Sequence, residues 1–152
     1  MSGTIFPTAQ DAQNAFYEAL ERADLDSMMA VWAEDEEIVC VHPAGPRLCG
    51  QDQVRQSRAQ IFAGGARARV HITQQVAVSA MMIEVHSVQE NFVIEGEQPR
   101  RQGRDSRPAP IVATNVYLRT SAGWRMIVHH ASPAPGRAEP PPARDGSPKI
   151  LH

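Results

Sequence analysis

The 152-residue chain is poor in the residues that usually announce a scaffold or a partner. It has two cysteines, Cys40 and Cys49. Two are too few for a disulfide framework or a closed structural zinc site. One lysine, Lys149, stands against 14 arginines, a skew that reflects genome composition more readily than function. The formal charge is only -2, which gives no global pull toward nucleic acid or a membrane surface. No apolar run approaches the ~20 residues a membrane span needs. Met1 to Gln10 has neither a basic start nor an apolar stretch, so a secretory signal is not expected and the cytoplasm is the default compartment. With 42% hydrophobic residues, the length suits one domain that buries a core of its own.

The periodicity of the chain changes partway along. Residues 8 to 22 carry Ala12, Ala15, Phe16, Ala19 and Leu20 at three- and four-residue spacing, which predicts an amphipathic helix capped by Thr8. Asp24 opens a second short helix whose buried face is Leu25, Met28, Met29 and Trp32, ended by the acidic residues 34 to 37. Residues 37 to 42 are β-rich, and Pro43 to Pro46 supply turn chemistry. Residues 47 to 50 return briefly. A third helix follows over 51 to 62, stopped by Gly64 and Gly65.

Four strands are expected after that, over 68–77, 81–95, 111–119 and 124–132, the last two joined by the hairpin turn Thr120 to Gly123. On the long second one, Met82, Glu84, His86, Val88 and Glu90 share a face. Residues 98 to 110 read as an exposed loop with Arg100, Arg101, Arg104 and Arg107, a solvated cluster without the aromatic platform that single-stranded nucleic acid would use. Six of the 12 prolines fall in residues 133 to 152, a tail that is either disordered or laid in extended form over a neighbour. The division is therefore a domain over 1–132 and a proline-rich tail over 133–152. Helices first and an antiparallel meander after imply an α+β fold, a curved antiparallel sheet packed against three N-terminal helices around a hollow.

Four segments make the sequence resemble the nuclear-transport-factor-2-like superfamily, and within it the SnoaL-like polyketide cyclases and ketosteroid isomerase. They are Phe16 to Leu20 with Asp24 to Asp26, Met29 to Trp32 with its acidic run, Val41 to Gly45 with Gly50, and Gly123 to His130. The resemblance implies a cone-shaped α+β fold with a pocket at its wide end and a homodimer packed through the outer sheet face. Ketosteroid isomerase places an aspartate base before a proline, and the matching position here is His42. Its oxyanion tyrosine falls on Phe16, or on Tyr17 after a one-residue slip, and its protonated carboxylic acid falls on Asn115. These departures remove a steroid isomerase assignment and leave a pocket with a base and a donor.

His42, Asn115 and His130 are the candidate catalytic residues. A neutral imidazole at His42 is a competent base near neutral pH, and it shares its strand face with Cys40. It equally suits a strand-end histidine bonded to the turn. His129 and His130 are adjacent, so only one can face the hollow. The alternation with Met126, Val128 and Ser132, aligned to the superfamily, puts His130 inward and His129 outward. An inward Asn115 would donate to a developing oxyanion, or else satisfy buried backbone groups. Tyr17, Trp32, Cys40, Phe62, His86, Tyr117 and Val128 are candidate substrate contacts, each also an ordinary core residue. His86 and Glu90 could join His42 and His130 in a mixed nitrogen and oxygen metal set, a third and weaker reading, but the spacing matches no metal motif, so neither metal nor cofactor is expected.

The expected activity is binding of a small apolar carbonyl-type molecule, with acid–base isomerisation, cyclisation or hydration. The competing reading is a non-catalytic ligand-binding or interaction module of the same fold. Neither nucleic acid nor membrane is an expected partner.

Overall fold

The computed structural model describes residues 4–65, 67–94 and 107–142. Most of the arginine-rich stretch, and the chain beyond Pro142, lie outside these. The first helix, α1 (Ala9–Arg22), starts where expected: the Thr8 hydroxyl accepts from the Asp11 amide at 3.0 Å. It closes on Ala23 in the left-handed conformation. Helix α2 (Leu25–Val31) is capped by Asp24, whose carboxylate accepts from the Ser27 amide at 3.1 Å. It ends earlier than the acidic run suggests. Trp32 is already extended and forms a bridge to Met126, because burying its indole under the sheet outweighs one more helical turn.

A short antiparallel pair follows, β1 (Val39–Val41) with β2 (Arg47–Cys49), and then α3 (Gly50–Ala63). The meander is β3 (Ala68–Ser79), β4 (Ile83–Ile94), β5 (Ile111–Thr120) and β6 (Gly123–Pro133). The sheet order is β2-β1-β6-β5-β4-β3, with β1 parallel to β6 and every other neighbouring pair antiparallel. Three helices against a curved, open six-stranded sheet make the expected α+β cone. At the β5–β6 turn only glycine fits: Gly123 has φ +91°, and a Cβ there would lie 2.8 Å from the Phe6 carbonyl oxygen.

Two bulges bend the sheet and decide which residues face the helices. In β3, Thr73 pairs with Gln89 and Val76 with Ser87, so three steps on one strand meet two on the other. Gln74 takes φ 56° to absorb the extra residue. Ahead of this bulge Val70 and Ile72 join the core; beyond it Val76 and Val78 are exposed on the outer face. In β6, Val128 pairs with Val116 but Met126 with Tyr117, which leaves Ile127 as the inserted residue. Met126 is inward before that bulge; His129 and Ala131 are inward after it.

The aliphatic and aromatic core lies between the sheet and α1–α2, with Phe16, Met28, Val31, Trp32, Ile38 and Met126 nearly inaccessible. The first part of the proline-rich tail is ordered, and it lies over this chain's own sheet. The amides of Ala134 and Ala138 donate to the carbonyls of Pro110 and Pro108 at 2.9 Å each, and Ala138 is buried. Glu139 accepts from the Thr73 hydroxyl and from Gln89 Nε2 at 3.1 Å, while its amide donates to Asn91 Oδ1 at 2.8 Å.

Candidate functional site

The inner face of the cone is built of polar groups to an unusual degree. Helix α1 contributes Gln13 and Tyr17, one turn apart beside the apolar stripe. Strand β4 contributes His86 and Glu90, β5 contributes Asn115 and Tyr117, β6 contributes His129, and α3 contributes Arg58. All eight are buried. Buried polar groups persist only when they bond one another, and most of these do.

The centre of the network is Glu90. The Tyr17 hydroxyl donates to Glu90 Oε2 at 2.5 Å. Asn115 Nδ2 donates to the Tyr17 oxygen at 3.0 Å, and His129 Nδ1 donates to Asn115 Oδ1 at 2.6 Å. These bonds fix the imidazole tautomer, with bare Nε2 facing Glu90 Oε2 at 3.9 Å. A second node is Gln13 Oε1, which accepts from Tyr117 Oη and His86 Nδ1 at 2.9 Å each and from Asn115 Nδ2 at 3.3 Å.

Burial dominates the acid–base properties. It pushes the Glu90 carboxyl up to about 7, against the smaller opposing pulls of the Tyr17 hydrogen bond and the Arg58 charge. Burial also raises the Tyr17 phenol well above its ordinary value, with the Glu90 charge adding to the shift. His129 is driven well below the usual imidazole range, first by burial and then by Arg58. Its approach to Glu90 is therefore that of a neutral ring, and no ion pair forms. Glu90 is the group of this network poised to exchange a proton near neutral pH.

The sequence-derived candidates divide. Asn115 is inward and within the network. So are Tyr17, His86 and Tyr117. Trp32 and Cys40 are fully buried nearby, and Phe62 is partly buried against the core. His42 is half-buried at the end of β1, with Nε2 3.1 Å from Ser57 Oγ and 4.0 Å from Cys40 Sγ. Burial and then Arg58 lower its imidazole to about 4, so it is neutral but a weaker base than Glu90 near pH 7.

His130 and Val128 are corrections. The Ile127 bulge reverses the alternation assumed from Met126 onward, so His130 is exposed, Val128 pairs with outward Val116, and His129 takes the inner face. The quartet of His42, His86, Glu90 and His130 is accordingly not brought together. Among the described residues no group of three His, Cys, Asp or Glu is arranged to hold a metal.

Glu90, Arg58 and Gln13 escaped the list of acid–base and ligand-contact candidates. For Glu90 the signal was present: a carboxylate on the strand face shared with His86 and Val88. A cleft of about 610 Å³ opens between α1 and β3, lined by Gln13, Tyr17, Glu18, Glu21, Thr73 and Gln75 among others. Gln13 and Tyr17 belong to both the cleft and the network, while Glu90 lies behind Tyr17 and does not line the cleft.

The model of the SnoaL-like domain matches residues 10–135. A solved structure from Thiobacillus denitrificans, provisionally named for the association domain of calcium/calmodulin-dependent protein kinase type II, is 36% identical. It aligns over 87% of this chain and 99% of its own with a TM-score of 0.72. A provisionally named dehydratase of the nuclear-transport-factor-2-like family from Streptomyces avermitilis is 30% identical, over 82% of this chain and 92% of its own, with a TM-score of 0.70. A cystatin-like protein of unknown function from Nostoc punctiforme shares the fold at 14% identity, over 88% and 98%, with a TM-score of 0.68. No curated protein matches the sequence. The chain belongs to the SnoaL-like domain family, a branch of the nuclear-transport-factor-2-like fold.

Proposed function

We propose that this domain binds a small carbonyl-type molecule and moves a proton on it, in an isomerisation, cyclisation or hydration–dehydration, with Glu90 as the acid–base group. The carrying observation is a carboxyl buried in the cone, hydrogen-bonded by Tyr17 at 2.5 Å and lifted to about 7. A carboxyl of that strength takes and returns protons near neutral pH. Tyr17 and Asn115 are the donors that would hold a substrate oxygen, each by exchanging its present acceptor, Glu90 for Tyr17 and the Tyr17 oxygen or Gln13 for Asn115. His129 stays neutral and orients Asn115. This replaces His42 as the base, because a group near 4 accepts a proton poorly at pH 7. The polar lining also suits a ligand with polar groups better than a purely apolar one. The relative named as a dehydratase supports the same reaction class.

The test is α-hydrogen exchange of small ketones and keto acids in D₂O, followed by NMR. The full chain is expected to speed exchange for at least one class of compound. Glu90→Gln should cut that rate by about 10²–10⁴, the usual contribution of a positioned acid or base. Undiminished exchange in Glu90→Gln overturns the assignment.

A second reading, a binding or assembly module, is favoured by two observations. One relative carries the name of an association domain. The outer sheet face also exposes Val76, Val78, Ile83 and Val112. We propose that this face packs against a second copy of the chain. A protein that binds carbonyl compounds but exchanges none of them supports this reading over the first.

A further inference from the structure

The buried network leaves two donors without acceptors. Arg58 Nε and Trp32 Nε1 have no hydrogen-bond partner, although both side chains are almost wholly inaccessible. Both pack around Phe16: the Arg58 guanidinium carbon lies 5.2 Å from its ring centroid, and the Trp32 ring 6.4 Å. The other recorded contact of the guanidinium is soft, Nη2 to Cys40 Sγ at 3.9 Å. Among the described residues no carboxylate pairs with Arg58 within 4 Å, and Glu90 acts on it only through the longer-range field.

Buried donors in folded proteins are nearly always satisfied, and a buried guanidinium without an anion is costly. The fold keeps this one, where a Leu or Met would pack at no such cost. Water would satisfy the N–H groups but not the charge. A carboxylate satisfies both, since its two oxygens match the planar fork of a guanidinium. Arg58 is not far from solvent: it touches Cys40, Cys40 lies 4.0 Å from His42 Nε2, and His42 is half-exposed.

We propose that the ligand of this interior is a small carboxylic acid, its carboxylate held by Arg58 and by the Trp32 indole N–H. The proposal rests on reading the cone interior as a ligand site and adds the charge of what enters it. Neutral ketones of the same size would then bind more weakly than their acid counterparts.

Titration of the ¹⁵N-labelled full chain with butyrate, and with butyramide as its neutral isostere, tests this. Butyrate is expected to shift the Arg58 Nε–H and Trp32 Nε1–H signals saturably, and butyramide to leave them in place. Arg58→Met should weaken butyrate about ten- to a hundredfold, the usual value of a charge-assisted bond. If that variant does not fold, Arg58→Lys and Trp32→Phe give the same comparison, each with a smaller loss. Unmoved signals in folded protein, equal shifts with butyramide, or undiminished binding by Arg58→Lys would each overturn it. Butyrate binding without Glu90-dependent exchange defeats the acid–base reading alone; Glu90-dependent exchange without butyrate binding defeats the carboxylate reading alone.

Discussion

Tyr17 and Glu90 meet at 2.5 Å in the buried interior of the cone, one from the first helix and one from the fourth strand, 73 residues apart in sequence. Burial pushes up both the phenol and the carboxyl, so two groups that resist ionisation face each other across this bond. The pair is costly to bury, and the proposed role uses the carboxyl in both protonation states.

That cost has a pH signature. Glu90 moves from an ordinary 4.5 to about 7 on folding, so its contribution is fully present below pH 4.5 and is lost as pH rises through 7. The expected loss is roughly 3 kcal/mol between those limits. Urea unfolding of the wild type and of Glu90→Gln at pH 5 and pH 8 measures it. The wild type should lose stability relative to the variant by about that amount.

His42 and His129 carry the opposite sign. Both are depressed on folding, so their contributions are present above the ordinary imidazole value and are lost as pH falls below it. In His42→Ala the acid-side decline between pH 6.5 and pH 4 should become shallower. The same unfolding series read on the acid limb reports it, and an unchanged slope contradicts the burial of this ring.

The Ile127 bulge predicts a sharp asymmetry between adjacent histidines. His130→Ala should lie within about 0.5 kcal/mol of wild type, as for other exposed substitutions. His129→Ala removes a buried ring that bonds Asn115 and packs at 4.8 Å on Phe16, and should cost roughly 2–4 kcal/mol. Equal effects would mean that the strand register is wrong.

Here the limit of the sequence is plain. Helix α1, its Thr8 cap, the β4 face bearing His86 and Glu90, and the Gly123 turn are written in local patterns of 3.6 and 2 residues. The position of a bulge is not. It depends on how β6 must bend to follow β1 on one side and β5 on the other, which is a property of the assembled sheet. One inserted residue exchanged His129 for His130 and moved Val128 outward. Arg58 was hidden for a related reason. Its spacing does put it on one helix face with Val54, the buried face of α3, but nothing local says that a charge on that face goes in without a carboxylate partner.

The strap of residues 134–142 should add stability to the β3–β4 end of the sheet. Glu139→Ala removes acceptors for Thr73 and Gln89 at a site that is largely covered, and a loss of about 1–2 kcal/mol is expected. Hydrogen exchange should localise the change to β3 and β4.

The outer sheet face gives a further expectation. Val78→Glu places a charge on the exposed apolar surface that is proposed to pair with a second copy. Light scattering should show a dimer for the wild type and a monomer for the variant, with the helical signal unchanged. A wild type that is monomeric at all concentrations contradicts the pairing.

The central claim is that one carboxyl in this cone titrates near neutrality. NMR of the ¹³C-labelled side chain of Glu90, followed from pH 4 to pH 9, measures it directly. A midpoint near 7 that moves higher in Tyr17→Phe is the predicted result, because that substitution removes the hydrogen bond that favours the ionised form. A midpoint near 4.5 would contradict it.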